Sequence, residues 1–141
     1  MKIAKAEKEG MALIFHSGSY DRVYHGLSIA LAASALAREV KLFFTYWALG
    51  YLRRDRKTVL WLDDEGEVRR ELITKNISEG HMEKIEELLR LSRAMGTKIY
   101  ACTSSMGILN TSRDELIAEV DKSMGLTTFL VETKSFQTLF I

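Results

Sequence analysis

The amino-acid sequence predicts an α/β domain whose mostly parallel sheet is covered by helices on both faces, a three-layer α/β/α arrangement. Short continuous apolar runs, typical of strands buried on both faces, alternate with segments whose apolar residues recur at helical spacing. The connections between these segments are short and polar, as in chains that cross repeatedly between a sheet and its covering helices. With 141 residues, the chain has the length of one such domain, and we expect residues 1–141 to form a single unit.

The first third of the chain predicts a strand, a helix, a second strand and a short helix. Met11–Phe15 is a continuous apolar run that a Ser/Gly-rich turn then breaks. Apolar residues at helical spacing run from Asp21, a plausible N-cap, to Ser34 and predict a helix of about four turns. Residues 40–45 predict the second strand, and 46–53 favour a short helix.

The second half continues the alternation of helix and strand. Residues 80–95 carry the clearest apolar stripe in the sequence, and Gly96 stands where a C-terminal helix glycine belongs. The elements predicted after it are a strand at 98–101, a helix at 113–120 and a last strand at 127–131. Four strands are therefore supported by the pattern itself.

The segment 57–73 has an ambiguous pattern. An apolar run at 59–62, an acidic turn around Gly66 and a second run at 68–73 allow either a hairpin or one strand followed by a loop. We interpret this segment as a surface elaboration that contains a strand.

Charge and hydropathy exclude several classes of function. The net charge is +1, and the one dense basic cluster, at 53–57, is interrupted by an acid, so nothing predicts a nucleic-acid partner. No apolar run approaches the roughly 20 residues that a membrane span needs. The charged first ten residues do not have the pattern of a signal peptide, and a lone cysteine cannot form an internal disulfide. We therefore expect a protein of the reducing cytoplasm.

The histidines do not predict a metal centre. Three scattered histidines and one cysteine do not match the four ligands of a closed zinc site, and we expect neither a metal nor another cofactor. His16 and His25 could each act as a base, although a histidine at a strand end is more often a structural polar residue.

Cys102, the only cysteine, is the strongest candidate for a catalytic residue. It follows the strand predicted at 98–101 and precedes a helix, and ligands of open parallel sheets gather at this edge. Unpaired backbone N–H groups at a helix start stabilise thiolate over thiol, which makes a cysteine there nucleophilic. The alternative is a buried, inert packing residue.

The other predicted site residues follow the same strand ends. Ser17 and Gly18, after the first strand, resemble a phosphate-cradling turn only faintly, and a plain strand-to-helix turn is the alternative. Tyr46 and Trp47, after the second strand, are expected to wall the thiol, or else to lie in the core. Hydroxyl and amide donors for the thiolate are expected from the residues directly after the cysteine, namely Thr103, Ser104 and Ser105, although Thr103 could equally be only a helix cap.

These same stretches resemble the DsrE/DsrF-like family, in particular a branch often labelled "peroxiredoxin family". The similar segments lie in the same order as in that family and span nearly the whole chain except 53–73; they are 15–18 with Asp21, 41–49, 98–106 and 139–141. The resemblance implies a three-layer domain with a five-stranded parallel sheet, for which 57–62 is the natural fifth strand. It also implies assembly into homo-oligomers and a cysteine, here Cys102, that carries sulfur as a persulfide.

Three functions follow as hypotheses. The first, which the resemblance implies, is a sulfur carrier or sulfurtransferase that exchanges sulfane sulfur with small sulfur-carrier proteins or rhodanese-type enzymes. The second is a non-enzymatic subunit that binds a ligand or partner while Cys102 is merely packed. The third is a single-cysteine thiol peroxidase, as the family label suggests; dithiol or self-resolving redox chemistry is disfavoured, because the chain has no second, resolving thiol.

The end of the chain also bears on assembly. Phe136, Leu139, Phe140 and Ile141 are apolar and require a cover. That cover is either a second copy in a homo-oligomer or the domain itself.

Overall fold

The structure is a computed structural model, which describes residues 9–56, 60–63 and 66–141. Five strands form one parallel sheet in the order β4-β3-β2-β1-β5. The strands are β1 (Met11–Phe15), β2 (Val40–Phe44), β3 (Lys98–Cys102), β4 (Lys122–Met124) and β5 (Gln137–Phe140). The α-helices are α1 (Tyr20–Ala35), α2 (Glu67–Ser78), α3 (Ile85–Ala94), α4 (Thr103–Ile108) and α5 (Leu126–Glu132). The structure also has two 3-10 helices, Tyr46–Leu52 and Arg113–Glu115. The parallel sheet with its helices confirms the predicted α/β class.

The two faces of the sheet have separate cores because successive side chains of a strand point to opposite faces. Leu13, Leu42 and Ile99 lie in register on one face, in the larger cluster, which α1 and α3 cover. Phe43 lies on the other face in a smaller cluster, which also contains Cys102. The cysteine is thus on the side of the sheet that α5 covers, away from α1 and α3.

The predicted strand at 127–131 is wrong, because these residues belong to helix α5. The pair of threonines and the following apolar residues favour a strand by propensity, but packing overrides it. Phe129 is the one buried residue of α5, and its ring stacks on Phe43 at 4.8 Å and meets Tyr100 edge-on at 6.2 Å. One large side chain thus anchors the short helix on the sheet.

The predicted helix at 113–120 is also wrong. Ser112 and Glu115 form a capping box, the sequence signal of a helix start, but it supports only the 3-10 turn Arg113–Glu115. The chain then extends and forms β4. The Asp121 carboxylate accepts the Ile99 N–H at 2.8 Å, which holds this extended stretch against β3.

The prediction for 57–73 fails in the part that the structure describes. Residues 57–59 and 64–65 lie outside the described residues, 60–62 are not a strand, and 68–73 belong to α2. The fifth strand is instead β5, at the C-terminal end, which pairs with β1 from Met11↔Gln137 to Ile14↔Phe140. The apolar C-terminal residues therefore pack on the sheet of their own domain, which is one of the two alternatives that the sequence leaves open.

Candidate functional site

Cys102 is the last residue of β3 and the N-cap residue of α4, as the sequence predicts. On one side of β3, Met124 of β4 is the register partner of Cys102. On the other side, Phe44 of β2 pairs with Ala101, the residue before the cysteine. The residue is only 4% exposed. The thiol therefore lies at the carboxyl edge of the parallel sheet, where open α/β folds place their sites.

Two hydroxyls from different strand ends meet beside the thiol. Thr45 Oγ1 and Ser105 Oγ are 2.7 Å apart, and Ser105 Oγ also accepts the Tyr46 N–H at 2.8 Å. The two hydroxyls have two protons, and the bond between them uses one. The other remains available to a thiolate at Cys102.

Tyr46 has a positive φ of 45°, a left-handed conformation that is uncommon for a residue with a side chain. Its N–H bond to the buried Ser105 hydroxyl is one of the contacts that hold this conformation. Backbone strain of this kind persists where surrounding contacts over-determine it, and it concentrates at functional sites. It also turns the Tyr46 side chain to the edge where Cys102 lies.

The thiol of Cys102 has a pKa below its ordinary value. Burial by itself raises the pKa, but the donors around the sulfur outweigh it: the backbone N–H and hydroxyl of Ser105, the hydroxyl of Thr45 and the backbone N–H of Ser104. The site therefore stabilises the thiolate more than the surroundings of an ordinary cysteine do.

A cavity of about 310 Å³ opens at the thiol. Its walls are mainly apolar, with hydroxyls at one side, as in sites that bind small groups. The His16 ring lies on its rim, 4.9 Å from the Tyr46 ring and 5.7 Å from the Phe140 ring. The residues that line this Cys102 cavity are Ile14, His16, Phe43, Thr45, Tyr46, Cys102, Ser104, Ser105, Ile108, Leu126 and Phe140.

The structure brings together some of the predicted site residues. Tyr46, Ser104 and Ser105 line the Cys102 cavity, as expected. Thr103 begins α4 but is exposed, and it does not line the cavity. His25 lies exposed on α1, outside the cavity.

Ser17, Gly18 and Trp47, also predicted to surround the thiol, lie elsewhere. The Ser17 hydroxyl donates to the Asp63 carboxylate at 3.3 Å. Gly18 and Trp47 line a separate pocket of about 590 Å³, and a Cβ on Gly18 would come within 3.0 Å of the Trp47 Cβ. The backbone after β1 is held beside this pocket by a hydrogen bond, in which the Tyr51 hydroxyl donates to the Gly18 carbonyl at 2.7 Å.

Several residues of the Cys102 cavity are not predicted from the sequence as its lining. Thr45, at the end of the predicted second strand, is expected at this edge of the sheet, but only the parallel register of β2 and β3 brings it to Ser105. Leu126 and Phe140 were missed because α5 and β5 were not predicted as such. An apolar residue at the end of an edge strand was the available signal for Phe140.

No group of three or more His, Cys, Asp or Glu residues within 9–56, 60–63 and 66–141 is arranged to hold a metal ion. In the same part of the chain, no helix is both long and apolar enough to cross a bilayer.

Comparisons with known proteins place the chain in a family. The model of the DsrE/DsrF/DrsH-like family matches residues 7–65 and 60–140. Uncharacterized protein YrkE of Bacillus subtilis (strain 168) is 24% identical over 144 residues, which cover 86% of this chain and 89% of that protein. The crystal structure of the ychN protein from E. coli superposes with a TM-score of 0.68 at 17% identity, over 94% of this chain and 99% of that one. Protein of unknown function MTH1491 from Methanobacterium thermoautotrophicum superposes with a TM-score of 0.63 at 13% identity, over the same shares of the two chains. These two likenesses show the fold.

Because the family model matches nearly the whole described chain, the chain belongs to the DsrE/DsrF/DrsH-like family.

Proposed function

We propose that this protein is a sulfur carrier of the sulfur-relay type, which takes up sulfane sulfur on Cys102 and passes it on. The observation that carries the proposal is a thiol that faces a cavity beside the hydroxyl pair of Thr45 and Ser105, with a pKa below its ordinary value. The thiolate is the nucleophile in thiol chemistry, so a site that favours it reacts faster at neutral pH. The family is generally linked to sulfur relay, which supports this reading over other uses of a reactive thiol.

The transfer is balanced without any external oxidant or reductant. The Cys102 thiolate attacks the outer sulfur of a donor persulfide, a new S–S bond forms, the donor S–S bond breaks, and the donor leaves as a thiolate. An acceptor thiolate then attacks the outer sulfur on Cys102, and the Cys102 thiolate is regenerated. The hydroxyls of Thr45 and Ser105 stabilise the charge on sulfur before and after each step.

The chain has one cysteine, so turnover requires a partner thiol. We propose small sulfur-carrier or rhodanese-type proteins as donors and acceptors, in a cytoplasmic, reducing compartment. Apolar side chains around the cavity support a docking surface, since Tyr46, Ile108, Leu126 and Phe140 are between 40% and 71% exposed. A homo-oligomer that covers part of this rim is the proposed assembly, with residues 1–141 acting as one unit.

The test is sulfur loading followed by intact mass. Reduced protein is incubated with a small organic persulfide and, separately, with thiosulfate, and the mass is recorded before and after treatment with cyanide. We expect wild type to gain the mass of one sulfur atom, and cyanide to remove it. No gain, or an equal gain in Cys102→Ser, contradicts the proposal.

A second function is supported by the low exposure of Cys102, at 4%. It is a subunit that binds a ligand or partner at the same edge of the sheet while the thiol is only packed. Alkylation with iodoacetamide distinguishes the two. A sulfur carrier reacts in the folded state, whereas a packed thiol reacts only after denaturation.

A further inference from the structure

A third cavity, of about 640 Å³, lies between α2 and the beginnings of α1 and α3, and none of its lining residues lines the Cys102 cavity. Helix α2 has no fully buried residue, and Ile77 is one of its half-buried contacts with the core. Among the residues that the structure describes, no side chain fills the space under this helix. We call it the α2 pocket.

The α2 pocket is lined by three cationic side chains and one acidic side chain. Arg56, Arg70 and Lys84 each carry a positive charge, and Glu86 carries the negative one, so the sum over these four is +2. The Arg56 guanidinium is fixed by its position 3.5 Å above the Tyr51 ring. A dianion placed in the pocket balances this charge.

Arg70 gives independent support for an anionic occupant. Its Nε is buried and has no hydrogen-bond partner among residues 9–56, 60–63 and 66–141. A charged donor that is desolvated without an acceptor is costly, and such groups in folded proteins are normally satisfied. Arg70 lines the α2 pocket, and an oxyanion bound there would supply its guanidinium with an acceptor.

The remaining lining indicates what else the ligand carries. Leu60 and Ile77 present apolar surface inside the same space. The volume also exceeds what one inorganic anion fills, since drug-sized ligand pockets begin near roughly 300 Å³. An organic group attached to the anion would occupy this apolar part.

We propose that the α2 pocket binds an organic phosphate monoester, with the phosphate on Arg70, Arg56 and Lys84 and the organic group against Leu60 and Ile77. A phosphate monoester is close to a dianion at pH 7, which matches the +2 of the pocket better than a single carboxylate does. Arginine is suited to this contact because its planar fork donates two parallel hydrogen bonds to phosphate oxygens. This site is separate from Cys102 and does not depend on the proposed sulfur chemistry.

The test is isothermal titration calorimetry on the full chain with phenyl phosphate, inorganic phosphate and phenol as probes. We expect saturable one-to-one binding of phenyl phosphate, weaker binding of inorganic phosphate and none of phenol. Arg70→Gln and Arg56→Gln should each weaken phenyl phosphate by roughly 10-fold or more, the effect of one lost charge-assisted hydrogen bond. Arg90→Gln, which removes the same charge from an exposed position on α3, should leave the affinity unchanged.

Three results would overturn the proposal. They are no saturable binding of phenyl phosphate to wild type, unchanged affinity in both Arg70→Gln and Arg56→Gln, and an equal loss in Arg90→Gln. Equal affinities for inorganic and phenyl phosphate would overturn the organic part of the assignment. Because Arg70 and Arg56 lie outside the fully buried core, circular dichroism is expected to show folded variants.

Discussion

Replacing Ser105 by alanine tests how the site activates its thiol. Ser105 is 1% exposed, and its hydroxyl serves the Tyr46 N–H, Thr45 and the Cys102 sulfur. Ser105→Ala leaves the Tyr46 N–H without its acceptor, which costs about 1–3 kcal/mol of stability. For a chain of this length the melting temperature falls by roughly 3 °C per kcal/mol. The pKa of Cys102 rises, because a donor to the thiolate is lost while the burial remains.

The assay is the rate of iodoacetamide alkylation as a function of pH, with the melting temperature measured in parallel. The midpoint of the profile follows the Cys102 pKa, so it should move to higher pH in Ser105→Ala, and the rate at pH 7 should fall by roughly 10-fold if one charge-assisted hydrogen bond is lost. Ser104→Ala is the matched control, because Ser104 is exposed and acts on the sulfur through its backbone N–H, which alanine retains. The reasoning is refuted if both variants shift the midpoint equally or if neither does.

Two further substitutions test the packing around the site. Gly26→Ala places a Cβ 2.5 Å from Cε1 of the buried Phe15. This clash should lower the free energy of unfolding, measured in urea titrations, by about 1–3 kcal/mol. The control is Gly107→Ala, whose Cβ meets open space and which should be neutral or stabilising. Equal effects of the two would contradict the packing seen around α1. Phe140→Ala removes a 71% exposed ring from the rim of the Cys102 cavity. A bulky aromatic disulfide should therefore react faster with Cys102, while the melting temperature changes little. An unchanged rate would mean that this ring does not control access to the thiol.

The parts of the fold that the sequence predicts correctly are those with a strong local pattern. β1 is a continuous apolar run, β2 and β3 are mainly apolar and largely buried, and α1 and α3 carry apolar stripes. The parts that fail depend on distant contacts. Helix α5 is defined by one phenylalanine that packs on a strand formed far earlier in the chain, and β5 exists because the edge of β1 is available. Neither contact has a local signature.

The site divides in the same way. The position of Cys102 at a strand end follows from one apolar run and the polar turn after it, and the structure confirms it. The contact between Thr45 and Ser105 joins residues 60 positions apart and depends on the register of β2 against β3. Ser17 and Trp47 also stand next to strand ends, yet their side chains turn to other neighbours. Proximity to a strand end therefore predicts the edge of the sheet but not the cavity that a side chain lines.

The proposed function requires that Cys102 react as a thiolate and accept sulfane sulfur. The most direct measurement is the rate of sulfur uptake from a small organic persulfide, followed by intact mass across a range of pH and compared with the alkylation profile of the same protein. We expect uptake to rise with pH through the same midpoint as alkylation, below the midpoint of an ordinary cysteine, because both reactions need the thiolate that Ser105 and Thr45 stabilise. Absence of uptake at every pH, or uptake that persists in Cys102→Ser, would contradict it.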